Sequence, residues 1–379
     1  MNETVLKPGW LCPEMPQEHI CWRDAAEPCF QIYGLHMPSI IDRGDSPAVY
    51  ERVTQEVALQ CDSQEMKTLA KHTAGARVRF KTNSNYVAIR VYWEGIFEVP
   101  HQPASGKCGF DLYLTQDGMS RYYKSFMPPR CVDRMQDGYQ SVVKFESEKM
   151  RDITICFPIS NSVERLEIGL EEDALVTHAE PYRLEKPIVF YGPSIANGGC
   201  ASKPGNTYPG FVSRALNLDH RNLGFSDSAR GDLCIAEYIA TLDMCAFIYD
   251  YDENAPTVEW LQRTHYPFYE VVRKAHPKVP IICMSRSMPM REDIAEFCKR
   301  DEESLMRKEV IKNTIKIAKE NGDNHIYFID GETLFAGPFS DCCTVDGLHP
   351  NDLGFYRMAQ GLIPVLKEAL EMEENNYEE

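Results

Sequence analysis

A serine, an aspartate and a histidine occupy positions from which a folded chain could assemble one nucleophilic centre. Ser194 follows the apolar run 188–191 and a Gly-Pro step, while Asp346 and His349 lie in the segment D-G-L-H-P near the other end of the sequence. A serine hydroxyl is a weak nucleophile until a histidine accepts its proton and an acid fixes the tautomer of that imidazole. The three residue types therefore indicate acyl transfer, although each segment by itself is more typical of an ordinary loop.

Two further segments carry groups that could stabilise negative charge. The segment N-L-G-F-S-D ends at Asp227 and the segment D-E-N-A-P contains Asn254, and both follow runs that predict strands. Amide side chains and exposed backbone N–H groups are the donors that a tetrahedral oxyanion needs. Arg286 follows a fourth predicted strand and is a candidate substrate contact; a surface position or a structural ion pair is the alternative interpretation.

Strands and helices alternate in the half of the chain that carries these residues. Helical patterns cover 257–274 and 291–321, and Asn351 or Asp352 can cap a final helix. The alternation predicts a parallel sheet covered on both faces. Loops that follow its strands share one edge, where open α/β sheets bind their ligands. The predicted strands are 188–191, 221–225, 244–249, 279–284 and 325–329.

The first half of the chain follows a different pattern. Short alternating segments separated by turn residues predict a β-sandwich, preceded over 1–40 by an extended lead-in with one or two edge strands. The predicted sandwich strands are 76–82, 86–93, 109–114, 139–145, 152–157 and 163–170. We therefore predict two domains, a β-sandwich over residues 1–183 and an α/β domain over residues 184–379.

Composition excludes several other classes of protein. The formal net charge is −17, which disfavours nucleic acid as a partner, and no run of 18 apolar residues is present to span a membrane. The N-terminal sequence lacks the pattern of a secretion signal, so we expect a cytoplasmic protein. The 14 cysteines contain no C-x-x-C pair and no zinc spacing, so we expect reduced thiols, no metal site and no cofactor.

Four segments in this order, G-P-S, N-L-G-F-S-D, D-E-N-A-P and D-G-L-H-P, resemble the four blocks of the SGNH (GDSL-type) hydrolases. Upstream, the segment G-F-D-L-Y at 109–113 resembles the G-x-D-L-Y signature of a β-sandwich that precedes this domain in one subgroup. The resemblance implies a three-layer α/β/α, flavodoxin-like domain behind a jelly-roll-like sandwich. It also implies metal-free hydrolysis of esters.

The resemblance also implies a role for each residue of the site. Ser194 matches the nucleophile, His349 the general base and Asp346 the acid that orients the histidine. The side chain of Asn254 and the backbone N–H groups of Ser194 and Asp227 match the oxyanion hole. Asp227 departs from the family, which has glycine there, and this departure puts one of the three donors in question.

Relatives with a sandwich in front of an SGNH domain are often carbohydrate esterases, so the resemblance implies hydrolysis of O-acyl, above all O-acetyl, esters on sugars. The expected partner is a small-molecule or oligosaccharide ester. Trp93 is a candidate to stack on a sugar ring, with the sandwich core as the simpler interpretation. Two alternatives stay open: an acyltransferase with the same triad, and a non-catalytic carbohydrate-binding protein on a hydrolase scaffold.

Overall fold

The computed structural model describes residues 9–16, 19–36, 50–287 and 298–372. Its first part is a sandwich of two antiparallel sheets, as the sequence predicts. One sheet has the strand order β1-β9-β4-β7; the other has the order β10-β3-β8-β5-β6, with β2 paired to β3. The strands are β1 (Ile20–Asp24), β2 (Gln31–Tyr33), β3 (Arg77–Thr82), β4 (Tyr86–Tyr92), β5 (Phe110–Gln116), β6 (Met119–Phe126), β7 (Tyr139–Lys144), β8 (Arg151–Cys156), β9 (Arg165–Glu171) and β10 (Val176–Thr177).

Alternating apolar side chains of these strands fill the space between the two sheets. Val78 and Phe80 of β3 face Val87 and Ile89 of β4 in one buried cluster. The strand β6 was not predicted, because most of its residues are exposed and its sequence M-S-R-Y-Y-K-S-F lacks a regular apolar face. Its position follows from the tight turn at Asp117 and Gly118, both of which have positive φ.

The second part is built on a five-stranded parallel sheet with the order β12-β11-β13-β14-β15. Counted from its own first strand, this is the 2-1-3-4-5 order of flavodoxin-like folds, which bind ligands where the order reverses. The predicted fold class is therefore confirmed. All five predicted strands are present, as β11 (Ile188–Gly192), β12 (His220–Gly224), β13 (Ala246–Tyr249), β14 (Ile281–Met284) and β15 (Ile326–Ile329).

Helices cover both faces of the parallel sheet. On one face, α6, α7 and α8 pack in a cluster that also includes Val53 and Leu69 from the segment between the lead-in and β3. On the other face, α4, α5 and α9 form a second cluster with Ile188 and Phe190 of β11. The helices are α1 (Gln55–Ala58), α2 (Met66–Leu69), α3 (Ala104–Lys107), α4 (Ser194–Asn197), α5 (Tyr208–Leu216), α6 (Leu233–Ala240), α7 (Val258–Ala275), α8 (Cys298–Glu320) and α9 (Asp352–Ala369).

Helix boundaries agree with the capping signals in the sequence. Thr257 caps α7 by accepting the backbone N–H of Trp260 at 3.1 Å. Asn351 is the residue that caps α9, because its side chain accepts the N–H groups of Leu353 and Gly354. The charged region predicted over 291–321 corresponds to α8, and its first residues, 291–297, lie outside the described part of the chain. Within the described residues, no helix is both long and apolar enough to cross a bilayer.

The G-x-D-L-Y segment joins the sandwich to the α/β part. A Cβ atom on Gly109 would lie 2.2 Å from the carbonyl oxygen of Ser105, so only glycine fits there. Asp111 is fully buried, and one of its carboxylate oxygens accepts the backbone N–H of Gly205 at 3.0 Å and the hydroxyl of Tyr113 at 2.8 Å. Gly205 lies between α4 and α5, so this carboxylate connects the two parts.

Two other contacts reinforce the interface. Arg77 of β3 forms a buried ion pair with Asp219, the residue before β12, and donates to the carbonyl oxygen of His220 at 3.1 Å. Gly106 of α3 packs so closely that a Cβ atom would lie 2.2 Å from the carbonyl oxygen of Ala201. The two parts therefore share a tight and partly ionic contact surface. The domain boundary at 183/184 stays a prediction.

The buried carboxyl group of Asp111 makes the interface sensitive to pH. Burial raises the pKa of Asp111 to about 6, against the lowering effect of the hydrogen bonds from Tyr113 and Gly205. Since the unfolded chain ionises this group at a lower pH, stability from this site is complete below about pH 4 and is lost as the pH rises through about 6. Asp111→Asn cannot ionise. We therefore expect the melting temperature of this variant, relative to that of the parent, to be higher at pH 8 than at pH 4.5.

Thermal unfolding at these two pH values measures that difference. The exposed Asp133 gives a matched control, because Asp133→Asn makes the same change in charge outside the interface. A melting-temperature difference for Asp111→Asn that stays constant or shrinks from pH 4.5 to pH 8 would show that the interface does not depend on the ionisation of Asp111.

Candidate active site

Ser194 lies at the carboxyl end of β11, where the strand meets α4. The strand ends at Gly192, Pro193 precedes the helix, and Ser194 is its first residue, with 8% of its surface exposed. A Cβ atom on Gly192 would lie 2.1 Å from the carbonyl oxygen of Asp250, so β11 approaches the end of β13 as closely as backbones allow. The hydroxyl is therefore held at the edge where the strand order reverses.

The loop before α9 brings His349 to this serine. The Nε2 atom of His349 lies 2.9 Å from the Oγ atom of Ser194, and its Nδ1 atom lies 2.8 Å from the Oδ2 atom of Asp346. The other carboxylate oxygen of Asp346 accepts the backbone N–H groups of Leu348 and His349, at 3.0 and 2.8 Å. The loop closes on itself because the Val345 N–H donates to the carbonyl oxygen of His349 at 2.9 Å.

These contacts keep Asp346 ionised. Partial burial raises the pKa of Asp346, but the hydrogen bonds from the His349 side chain and from the two backbone N–H groups have the larger combined effect. They lower the pKa to about 2. A carboxylate that accepts from Nδ1 of an imidazole fixes the tautomer whose Nε2 atom carries the free lone pair. The geometry thus presents a proton acceptor to the hydroxyl of Ser194, which is the arrangement that activates a serine nucleophile.

The loops after β12 and β13 flank Ser194 on the sheet edge. Phe225 donates its N–H to the carbonyl oxygen of Gly192 at 2.9 Å, and the side chain of Asn254 donates to the carbonyl oxygen of Phe225 at 3.0 Å. The amide group of Asn254 has a second N–H, so it can serve the loop and an oxyanion together. The structure therefore brings the residues predicted for the oxyanion hole to neighbouring strand ends.

Asp227 has a backbone conformation that is uncommon for residues other than glycine. Its φ angle is 53°, in the left-handed region that Asp and Asn enter more readily than other residues with a side chain. Its side chain is exposed, and its carbonyl oxygen accepts from Nε of Arg230 at 3.0 Å. The aspartate thus keeps the turn that a glycine would make, as we expect for a loop that must aim a backbone N–H.

Comparison with known proteins agrees with this geometry. Residues 185–367 match the model of the GDSL-like Lipase/Acylhydrolase family, and residues 20–176 match the model described as the N-terminus of Esterase_SGNH_hydro-type. The chain is an SGNH hydrolase of the GDSL type. No curated protein matches the chain.

Solved structures extend the likeness across both parts of this SGNH hydrolase. A protein from Bacteroides ovatus ATCC 8483, described as a GDSL-like lipase, is 26% identical, with a TM-score of 0.79 over 93% of this chain and 99% of the other. The salicylyl-acyltransferase SsfX3 of a tetracycline biosynthetic pathway is 18% identical, with a TM-score of 0.72 over 92% and 96%. A family two carbohydrate esterase from Clostridium thermocellum is 14% identical, with a TM-score of 0.56 over 79% and 94%.

Two residues predicted to bind substrate have other contacts in this SGNH hydrolase. Trp93 is 3% exposed in the sandwich core, and its Nε1 atom donates to the carbonyl oxygen of Met135 at 2.7 Å, so its ring cannot stack on a sugar. Its role is corrected to core packing. Arg286 lies at the active edge, but its guanidinium group forms an ion pair with Glu253, the neighbour of Asn254. A substrate contact for Arg286 stays a hypothesis.

Two buried carboxyl groups support the loop that carries Asn254. Asp250 accepts the hydroxyl of Tyr208 at 3.0 Å, and Asp252 accepts the backbone N–H of Arg286 at 3.0 Å. Burial raises the pKa of Asp250 to about 8 and that of Asp252 to about 7, and repulsion from neighbouring carboxylates adds to both shifts. Both carboxyl groups therefore retain their protons to a higher pH than exposed aspartates do.

Three residues near the triad were not predicted. The ring of His101 stacks on the ring of His349 with 4.9 Å between centroids and an angle of 25°. The side-chain amide of Gln102 packs against Gly199, where an added Cβ atom would lie 2.6 Å from the amide nitrogen. The thiol of Cys200 lies close to both imidazoles. His101 and Gln102 belong to the sandwich part, in a loop without a motif, so only the folded chain reveals their proximity to Ser194.

The left-handed conformation of Asp227 gives a prediction about catalysis. Replacement by glycine, or by asparagine, preserves the turn and removes the carboxylate, so we expect kcat for an aryl acetate to change by less than about tenfold, or about 1.4 kcal/mol of barrier. Valine, which is β-branched, resists positive φ and should lower kcat by displacing the backbone N–H. Steady-state kinetics of the three variants checks this.

Asparagine is the matched control for charge, and valine is the control for backbone conformation. A hundredfold rise in kcat for both Asp227→Gly and Asp227→Asn would show instead that the carboxylate opposes the developing negative charge.

Proposed function

We propose that the protein is a serine esterase that hydrolyses O-acyl esters, above all O-acetyl esters on carbohydrates. The observation that carries this proposal is the chain of hydrogen bonds from Ser194 through His349 to Asp346, at 2.9 and 2.8 Å. Membership of the GDSL-type SGNH family supports this proposal, and the roles of the individual residues and the choice of substrate are proposed here.

The reaction proceeds in two acyl transfers. Ser194 attacks the ester carbonyl carbon while Nε2 of His349 accepts the hydroxyl proton, and the ionised Asp346 stabilises the resulting imidazolium. The tetrahedral oxyanion is held by the side-chain amide of Asn254 and by the backbone N–H groups of Ser194 and Asp227. His349 then protonates the leaving alcohol, and water repeats the sequence on the acyl-enzyme.

Polar groups around the nucleophile support a short acyl group and a polar alcohol. The side chain of Gln102 lies against Gly199, and the imidazole of His101 covers one face of His349. Such amide and imidazole groups suit sugar hydroxyls better than a long alkyl chain, which gains from apolar walls. The fold likeness to a carbohydrate esterase solved in complex with cellohexaose points in the same direction.

An acyltransferase is the second candidate. The salicylyl-acyltransferase SsfX3 shares the fold over 92% of this chain and has a higher TM-score, 0.72, than the carbohydrate esterase, 0.56. The same triad serves both reactions, since an acceptor alcohol replaces water in the second step. Product analysis with a competing alcohol separates the two: transfer that exceeds hydrolysis at millimolar acceptor favours the transferase.

The role of Ser194 is tested by replacement with alanine. Ser194→Ala removes the nucleophile, so we expect the release of acetate from acetylated oligosaccharides, and of aryl alcohol from an aryl acetate, to fall at least about a thousandfold. Ser147→Ala, a change of the same kind at an exposed serine of the sandwich, is the matched control. Circular dichroism and melting temperature verify that each variant is folded.

A folded Ser194→Ala protein that retains aryl acetate turnover within tenfold of the parent would refute the assignment of the nucleophile. Release of acetate from the aryl ester but from none of the acetylated sugars would keep the esterase and refute the carbohydrate substrate.

The polar surroundings of Ser194 give a second prediction, about acyl chain length. We expect kcat/KM for acetyl esters to exceed that for octanoyl esters, because a longer chain would place methylene groups against polar side chains without gaining burial. A series of aryl esters with two, four and eight acyl carbons measures this directly, with the same leaving group as internal control. A preference for octanoyl esters would indicate a lipase or thioesterase.

A further inference from the structure

Three potential metal ligands meet beside the proposed nucleophile. One nitrogen of His101, the sulfur of Cys200 and one nitrogen of His349 all lie within 4.8 Å of one another. They come from three separate parts of the chain: the sandwich loop before α3, the turn after α4 and the loop before α9. In the part of the chain that the structure describes, these three form the one cluster of His, Cys, Asp or Glu side chains close enough together to hold a single ion.

The hydrogen bonds of His349 determine which of its atoms could bind an ion. Its Nδ1 atom lies 2.8 Å from a carboxylate oxygen of Asp346, so the proton is on Nδ1 and the lone pair on Nε2. A carboxylate that holds the far nitrogen of a histidine is the usual second shell of a zinc ligand, because it fixes the ring and increases its basicity. The contact that prepares His349 to accept a proton therefore also prepares it to bind a metal.

We propose that His101, Cys200 and His349 form a Zn²⁺ site, and that an ion bound there switches off the proposed esterase. The inhibitory part of this inference rests on the proposed role of His349 as the base. Two imidazoles and a thiolate are a ligand set that zinc accepts, with water or the Ser194 hydroxyl in the fourth position. Bound zinc occupies the Nε2 lone pair, so that atom can no longer accept the proton of Ser194.

Binding requires the ring of His101 to turn. The two imidazoles are stacked with 25° between their planes, so their in-plane lone pairs do not yet converge on one ion. Bonds of about 2.0–2.1 Å to nitrogen and about 2.3 Å to sulfur place tetrahedral ligands roughly 3.5 Å apart. One ligand atom from each of the three side chains already lies within 4.8 Å of the others, so rotation of the His101 and Cys200 side chains has to close only the remaining distance. Cys200 is 4% exposed, and its sulfur lies beside the two imidazoles and not in bulk solvent.

The proton balance of binding is simple. The Cys200 thiol loses its proton to solvent as the Zn–S bond forms, and both imidazoles bind as neutral ligands. Binding therefore releases protons and weakens as the pH falls. No oxidant or reductant is involved, so removal of zinc by a chelator restores the free triad.

The first measurement is inhibition of aryl acetate hydrolysis by Zn²⁺. We expect Zn²⁺ to inhibit the parent protein and EDTA to restore its rate. Cys200→Ser and His101→Gln should each raise the half-inhibitory Zn²⁺ concentration at least tenfold, since even a second-shell change costs about 10–100-fold in metal affinity. Each rate is compared with the metal-free rate of the same variant, and Cys131→Ser, at an exposed cysteine of the sandwich, is the matched control.

The second measurement detects the site without any turnover. Co²⁺ reports a thiolate ligand by a sulfur-to-metal charge-transfer band and a tetrahedral site by its visible spectrum. We expect both signals in the parent protein and in Cys131→Ser, and the loss of the charge-transfer band in Cys200→Ser. Competition with Zn²⁺ should remove the Co²⁺ spectrum from the parent.

The two measurements separate this inference from the proposed function. A Co²⁺ thiolate band that depends on Cys200 and His101, in a protein without esterase activity, would establish the metal site and refute the proposed function. An active esterase that shows no such band, or whose inhibition by Zn²⁺ is unchanged in Cys200→Ser and His101→Gln, would refute the metal site and leave the esterase intact.

Discussion

The hydrogen bond between Ser194 and His349 joins side chains 155 residues apart in the sequence, and much of the fold serves to hold it at 2.9 Å. The serine is positioned by the end of β11 and the histidine by the loop before α9. A carboxylate fastens the two sides together, because Asp352, in the first turn of α9, accepts the Ser202 N–H and the Asn206 side chain, both at 2.7 Å. The neighbouring Gly205 donates to Asp111 of the G-x-D-L-Y segment at 3.0 Å. A continuous series of contacts therefore runs from the sandwich to the loop that carries His349.

The sandwich contributes directly to the site, because its residues contact the segments that carry His349 and follow Ser194. Its loop before α3 places His101 on the ring of His349, and Gly106 of α3 packs against Ala201 without room for a side chain. A displacement of the sandwich would move both the ring that covers His349 and the turn that follows Ser194. The sandwich and the α/β part hold each other in place through a shared contact surface. This surface includes a buried ion pair between Arg77 and Asp219.

Features of the site that depend on local chain geometry could be predicted from the sequence. The apolar runs located all five parallel strands, the Asn cap located α9, and the tolerance of aspartate for positive φ anticipated the turn at Asp227. Features that depend on long-range packing could not be predicted. Nothing near Trp93 in the sequence distinguishes a core tryptophan from one that faces a ligand, and no local pattern pairs Arg286 with Glu253 or brings His101 to His349. The strand β6 was missed because most of its side chains are exposed, so its sequence has no regular apolar face.

The central claim is that His349 activates Ser194 as a nucleophile, and covalent labelling with a fluorophosphonate tests it most directly. Such a reagent traps a serine only when its hydroxyl is activated by a neighbouring base. Intact-mass analysis and peptide mapping should show one adduct per chain, on Ser194, formed by the parent protein and lost in His349→Ala. Absence of an adduct, an adduct on a different side chain, or labelling of Ser194 at the same rate in His349→Ala would contradict the account.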